Sequence, residues 1–391
     1  MEYLGLSEST LEQSGGIHTA KEISQQPALW KKIYNSVCDQ KNKIEAYLNQ
    51  VKEHTDKFIF TGAGTSAFIG LSLEGTFRRK FPQQVEVVPT TDLVSHPSNY
   101  FFPTQRIVLV SFARSGNSPE SVAAATLAER MSKQVYHVII TCDADGKLAS
   151  FKSQGKKYVF VLPPDANDKG LAMTSSYTGM MWSGLLFAHI HQISEFSRPL
   201  NALVMAAENM IHDQYQQFRE LAEMDFERAV FLGSGPLLGT ATEAHLKLQE
   251  LTDGQVICKK DSYLGFRHGP KSVIDKNTLL VCFFSNDSYV SKYEKDLVSS
   301  VMDDQLTARI VGVFENKHIE LDFTAVFAYN GASDAQIQEE LLPLVHIIPA
   351  QMLAFYKSLA LGYQPDEPSA ERGAISRVVQ GVNIYLEDAT Y

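Results

Sequence analysis

Glu243, Lys247 and Glu250 recur at i, i+4 and i+7 along Thr242-Glu243-Ala244-His245-Leu246-Lys247-Leu248-Gln249-Glu250-Leu251. In a helix these three share one face. A carboxylate beside an ammonium can act as a general base whose proton affinity the cation tunes. The same spacing also describes a solvated stripe with an ordinary Glu–Lys pair, and the helix alone does not choose between the two. Ala241, Ala244, Leu248 and Leu251 form a separate apolar face, and Asp253-Gly254 offers a C-cap. The next loop tips the balance. Between Tyr263 and Ser272 it sets Arg267, His268 and Lys271 among Gly265, Gly269 and Pro270, which holds a histidine at a basic loop tip where it can meet a reacting group.

A second kind of chemistry is anion binding. Thr61-Gly62-Ala63-Gly64-Thr65-Ser66-Ala67 combines glycines that admit a close ligand with two hydroxyls at a helix start. It is neither a Walker A loop nor a complete GxGxxG, because Ala67 stands where the third glycine would be. A capped tight turn would use the same residues. Ser111-Phe112-Ala113-Arg114-Ser115-Gly116-Asn117-Ser118-Pro119 adds Arg114, Ser115 and Ser118, which can point at one oxyanion. Ser118 before Pro119 is also a natural N-cap. A third opening, Met173-Thr174-Ser175-Ser176-Tyr177-Thr178, contributes Thr174 and Ser175. Three hydroxyl-rich openings in one region favour an anion site over three unrelated caps.

These loops need elements to hold them. Short β-branched runs at 58–60, 85–88, 107–110, 135–140 and 158–162 alternate with helix-length segments and read as buried parallel strands in βαβ units. A second set follows at 229–232, 255–258, 279–284, 310–314 and 324–328. From Phe58 to Ala229, Val85 to Gln255 and Ile107 to Leu279 the offsets are 171, 170 and 172 residues, which suggests two copies of one five-stranded αβα unit. In open parallel sheets ligands gather beyond the carboxyl ends of strands, where the candidate loops fall. The second copy keeps Gly233-Ser234-Gly235 but replaces the Arg-Ser loop with Ser285-Asn286-Asp287-Ser288, whose aspartate would repel a phosphate. Before the first copy, Trp30, Ile33, Tyr34, Val37, Ile44, Tyr47, Leu48 and Val51 follow helical spacing. Residues 171–225 read as helical with a break at Pro199, 343–362 as one more helix, and the tail beyond Pro365 and Pro368 as ending in a strand or helix. The expected domains are a helical segment 1–50, a phosphate-binding domain 51–200, an acid–base domain 201–345, and a C-terminal helix and tail 346–391.

Composition narrows the class. The 391 residues are 44% hydrophobic and 20% charged, enough for a sizeable core. A net charge of −10 argues against a general nucleic-acid or anionic-membrane binder, while a local loop can still hold one phosphate. Cys38, Cys142, Cys258 and Cys282 lie far apart, with no zinc spacing and no disulfide framework. No signal peptide or membrane-length apolar run is read, so the expectation is a soluble protein of a reducing compartment.

The Gly-Thr-Ser loop, the Arg-Ser-Gly-x-Ser loop, the Glu/Lys/Glu helix and Phe266-Arg267-His268-Gly269-Pro270-Lys271-Ser272 together resemble the sugar isomerase (SIS) superfamily. They are similar in particular to the isomerase half of glucosamine-6-phosphate synthase. With the tail motif from Pro368 through Arg377-Val378-Val379-Gln380-Gly381, the resemblance is to its galactosamine-6-phosphate deaminases, also described as tagatose-6-phosphate ketose/aldose isomerases. It covers nearly the whole chain from about residue 50. It implies an α/β fold of two tandem SIS domains, each a five-stranded parallel sheet in a three-layer αβα, flavodoxin-like sandwich. It also implies a phosphate held by Gly64, Thr65, Ser66, Arg114, Ser115, Ser118, Thr174 and Ser175. Glu250 would move a proton between C2 and C1, His268 from the partner subunit would open the sugar ring, and Glu243 and Lys247 would support them. The synthase's phosphate loop has Ser-Gln-Ser where this chain has Ala113-Arg114-Ser115, so Arg114 takes part of that load. The synthase's Schiff-base lysine has no counterpart here. Arg377 lies nearest and a guanidinium cannot readily replace it, so it stands as a tail contact.

The expectation is therefore a cytoplasmic homodimer, or a higher oligomer, that needs no cofactor or metal and binds neither nucleic acid nor membrane. It would convert D-galactosamine 6-phosphate to D-tagatose 6-phosphate and ammonia. The rivals are a plain ketose/aldose isomerase, a glucosamine-6-phosphate deaminase and a non-catalytic sugar-phosphate sensor. A nicotinamide dehydrogenase, with Glu86 as its ribose ligand, would need the missing glycine.

Overall fold

The computed structural model describes residues 1–304, 309–330, 336–379 and 381–385. The chain opens with a short hairpin of β1 (Glu2–Tyr3) and β2 (Leu6–Ser7), then helices α1 (Glu8–Gln13), α2 (Ile17–Ser24), α3 (Gln26–Asp39) and α4 (Lys41–Lys52). Trp30, Ile33, Val37, Ile44, Leu48 and Val51 are buried, as their helical spacing requires.

Two compact units form, each drawn from several stretches. One comprises Ala28–Asp168, Ser175–Ser197 and the tail from Ser376; the other comprises Met1–Pro27, Lys169–Thr174 and Arg198–Ile375. The first is built on β3 (Lys57–Thr61), β4 (Gln84–Val87), β5 (Arg106–Ala113), β6 (Gln134–Thr141) and β7 (Lys157–Val161), all parallel in the order β4-β3-β5-β6-β7. Its helices include α5 (Thr65–Lys80), α6 (Thr90–Ser95), α7 (Pro119–Met131) and α8 (Ser175–Ala188). Ile59, Leu109 and Ile139 from the strands pack with Ala124, Leu127 and Ala128 of α7. All of α8 is buried, and it packs against α5.

Helices α9 (Ser197–Asp213) and α10 (Tyr215–Glu223) follow. Pro199 does not break a helix. It sits in the first turn of α9, where a missing N–H costs nothing, and the interruption is the 3-10 stretch Ile190–Phe196 before it.

The other unit carries β8 (Arg228–Leu232), β9 (Ile257–Asp261), β10 (Thr278–Phe283), β11 (Arg309–Phe314) and β12 (Ala325–Ala328), parallel in the order β12-β11-β10-β8-β9. With it come α11 (Pro236–Leu251), α12 (Tyr263–Phe266), α13 (Val290–Asp303) and α14 (Leu342–Ala360). Val230, Leu280 and Cys282 pack with Leu297, Val298 and Val301 of α13. Numbering each copy's strands along the chain, both sheets have the order 2-1-3-4-5, so the expected duplication is present in topology. It reaches single dihedrals. Gly64 (φ 55°, ψ −130°) and Gly235 (φ 53°, ψ −126°) take the same left-handed conformation before α5 and α11. The tail from Gly373 to Tyr385 shows no helix or strand among the described residues, unlike the ending expected; Gln380 and 386–391 lie outside them.

Candidate functional site

In the unit of the first sheet, strand order reverses between β3 and β5. The chain leaves β3 toward one side and β5 toward the other, so the loops after these neighbours flank a crevice. Thr61 and Ser111 are paired in register, which puts Gly62–Ser66 and Arg114–Ser118 side by side. Thr65 and Ser66 are buried at the start of α5. A Cβ on Gly62 would stand 2.5 Å from the main-chain carbon of Ser66, so only glycine lets the helix start this close to the strand.

Arg114 is buried and fixed at both ends. Its carbonyl accepts from Cys142 N–H at 3.2 Å and Thr141 Oγ1 at 3.4 Å, at the end of β6. Its Nη2 donates to the Arg377 carbonyl at 2.6 Å. Ser115 Oγ accepts the Asn117 N–H at 3.3 Å. Ser118 is the N-cap of α7, its Oγ taking the Ser121 N–H at 3.3 Å, with Pro119 in the first turn. The capping role read for Ser118 is thus present.

Ser175 also has a defined partner. Its N–H and Oγ, and those of Ser176, all donate to the carboxylate of Asp168, at 3.2, 2.5, 2.9 and 2.5 Å. Asp168 is fully buried and was not legible as a site residue: it precedes Ser175 by more than any capping spacing. The Asp168 carbonyl accepts Arg377 Nε at 3.0 Å and also Arg377 Nη2, which reaches Asn167 Oδ1 at 3.2 Å. Cys142 lies within this charged group. Burial, then Asp168, push its thiol pKa up, and Arg114 opposes them. Thr174 belongs to the other unit, where its carbonyl accepts Gln351 Nε2 at 3.5 Å.

In that other unit, α11 carries the acid–base candidates. Lys247 Nζ donates to Glu250 Oε2 at 2.6 Å and lies 3.2 Å from Glu243 Oε1. Glu243 and Lys247 are 0% and 1% exposed, whereas the Glu250 side chain keeps 23% of its surface. The solvated stripe is therefore excluded. Burial acts to lower the Lys247 pKa, but the two carboxylates outweigh it and the net shift is upward. The lysine is a fixed cation. His245, one face round, has its pKa lowered, first by burial. The helix ends as expected, with Asp253 and Gly254 both at positive φ. His268 is exposed on the turn after α12, its N–H donating to the Gly265 carbonyl at 3.0 Å.

The second copy's loop after β10 is filled by the protein's own carboxylates. Ser285 N–H donates to Glu294 at 2.9 Å, Ser285 Oγ to Glu339 at 2.5 Å, and Asp287 Oδ1 accepts the Tyr289 and Val290 N–H groups at the start of α13.

The family profile described as SIS domain matches residues 53–190. The chain is 39% identical over 385 residues to the D-galactosamine-6-phosphate deaminase AgaS of Shewanella sp. (strain ANA-3), covering 97% of this chain and 95% of that protein. This chain belongs to the AgaS family of SIS-domain proteins. Another AgaS relative, the Escherichia coli D-galactosamine-6-phosphate deaminase, is 35% identical over 95% of this chain and 96% of its own. The solved tagatose-6-phosphate ketose/aldose isomerase from Escherichia coli aligns with a TM-score of 0.84 and 31% identity, covering 97% of this chain and 98% of that one. As an AgaS-family chain it carries two SIS-type sheets. No helix among the described residues is long and apolar enough to cross a membrane.

Proposed function

We propose that this chain converts D-galactosamine 6-phosphate to D-tagatose 6-phosphate and ammonia. Gly64, Thr65, Ser66, Arg114, Ser115 and Ser118 take the phosphate, with Thr174 and Ser175 at the third opening. His268, contributed across the interface of a cytoplasmic homodimer, opens the pyranose. Glu250 removes the C2 proton and delivers it to C1, while one proton of the C2 ammonium passes to the aldehyde oxygen, so C1 becomes a hydroxymethyl carbon and the C2 nitrogen a protonated imine. Water adds at C2 and ammonia leaves. Lys247, held by Glu243, donates to Glu250 Oε2 and so fixes where that carboxylate points.

The observation that carries this reading is the Glu243–Lys247–Glu250 array: two fully buried charges that support a third group still open to solvent. The names of the curated relatives support the substrate. In Glu250→Gln, ammonia release should fall by roughly 10²–10⁴-fold, the usual worth of a general base. Inorganic phosphate should still bind. Turnover close to wild type would overturn the assignment of Glu250.

A plain isomerase is the second reading, favoured by the name of the Escherichia coli structure. It would use the same carboxylate on tagatose 6-phosphate without expelling nitrogen.

A further inference from the structure

A continuous chain of bonds in the unit of the first sheet leads from the third hydroxyl-rich opening to Arg114. The Asp168 carboxylate accepts four hydrogen bonds from the first two residues of α8. Its carbonyl accepts the Arg377 side chain, and the Arg377 carbonyl accepts Arg114 Nη2. Each link is distinct in kind. The carboxylate anchors Asp168 to a wholly buried helix, so its carbonyl is a fixed point. The Arg377 guanidinium bonds that fixed point and the side chain of Asn167, which fixes the backbone of a tail that shows no helix or strand among its described residues. The tail carbonyl then sets the direction of the Arg114 guanidinium, whose own backbone is tied to the end of β6. A guanidinium is rigid and planar, so one bond to a fixed acceptor restricts where its remaining donors point.

We infer that Asp168 and Arg377 are positioning residues for anion binding, and that through them the C-terminal segment sets the affinity of the Arg114 loop. Neither touches the anion. Their role is to pre-orient Arg114, so that less freedom is lost when a phosphate monoester arrives. The inference rests on the reading of Arg114 as a phosphate ligand. It adds a dependence on a residue more than 200 positions away in sequence.

The test follows inorganic phosphate binding by calorimetry and galactosamine 6-phosphate turnover by steady-state kinetics, with the full-length wild-type protein as the standard. Arg377→Ala should raise the phosphate Kd and the KM by about tenfold, the scale of one charge-assisted hydrogen bond, with kcat within about twofold of wild type. Arg377→Lys, which keeps a donor for the Asp168 carbonyl, should recover part of the loss. Arg377 is exposed, so these variants should fold. A chain ending at Ile375 also lacks the carbonyl that holds Arg114, and should bind phosphate more weakly than Arg377→Ala. Arg114→Ala is the reference. If it loses phosphate binding while Arg377→Ala and the shortened chain bind like wild type, the positioning role is wrong and the phosphate reading stands. If Arg114→Ala itself binds like wild type, the phosphate reading falls and the inference falls with it. Equal losses of kcat and of phosphate affinity in Arg377→Ala, without recovery in Arg377→Lys, would mark a general structural defect and overturn the specific role.

Discussion

Lys247 donates to Glu250 at 2.6 Å from a position only 1% exposed, while Glu250 itself keeps contact with solvent. A buried ammonium flanked by two carboxylates carries no net benefit unless each charge is matched, because desolvation offsets the Coulombic gain. An arrangement so exacting, on a helix that precedes the candidate histidine loop in the sequence, is more readily explained by chemistry than by stability.

Lys247→Met should remove the cation that lies 3.2 Å from the buried Glu243 and cost about 3–5 kcal/mol in chemical denaturation at neutral pH. The pH dependence has a definite sign. The folded pKa of Lys247 lies above its ordinary value of 10.5, so its contribution is fully present below that value and is lost as pH rises through the folded pKa. The variant should lack this alkaline loss. Equal alkaline sensitivity in both proteins would contradict the charge arrangement.

Glu294 gives a second experiment of the same sign, with a carboxylate in place of an ammonium. Burial raises its pKa from 4.5 to about 8 despite the bond from Ser285 N–H, with Glu339 and Asp287 adding to the rise. A raised folded pKa means stability that is complete below the unfolded pKa and falls as pH climbs through about 8. Relative to wild type, Glu294→Gln should gain up to about 1.4 kcal/mol per pH unit across that window in urea unfolding. A difference that is flat from pH 5 to about 8 would show that the carboxyl is not buried as a neutral acid.

Two glycines of the first loop should respond differently. Gly64 has open space where a Cβ would go, so Gly64→Ala carries only the strain of a left-handed backbone, about 1–3 kcal/mol. Gly62→Ala places its Cβ 2.5 Å from the Ser66 main chain and must move the start of α5. Phosphate affinity should therefore fall further in Gly62→Ala than in Gly64→Ala at matched stability. The reverse order would argue that the Ser66 end of the loop does not touch the anion.

Much of this was legible in the sequence because buried parallel strands are unbroken apolar runs. The exception is informative. The run at 255–258 is shifted from β9, Ile257–Asp261, because this edge strand carries Lys259, Lys260 and Asp261, and hydropathy does not mark charged positions on an edge. The Glu243–Lys247–Glu250 face could be placed from spacing alone, but not its burial, which depends on segments distant in sequence. Arg377 stood out as a candidate tail contact without a partner. Its partner Asp168 gave no signal, because a side chain that reaches two residues of a helix from outside any capping motif has no local pattern.

The central claim is that this chain expels nitrogen from an amino sugar phosphate. The direct measurement is the ammonia and tagatose 6-phosphate formed per galactosamine 6-phosphate consumed, with glucosamine 6-phosphate and the N-acetylated sugars alongside. One ammonia and one ketose per galactosamine 6-phosphate is the predicted result. Interconversion of neutral sugar phosphates without any ammonia from the amino sugars would contradict it.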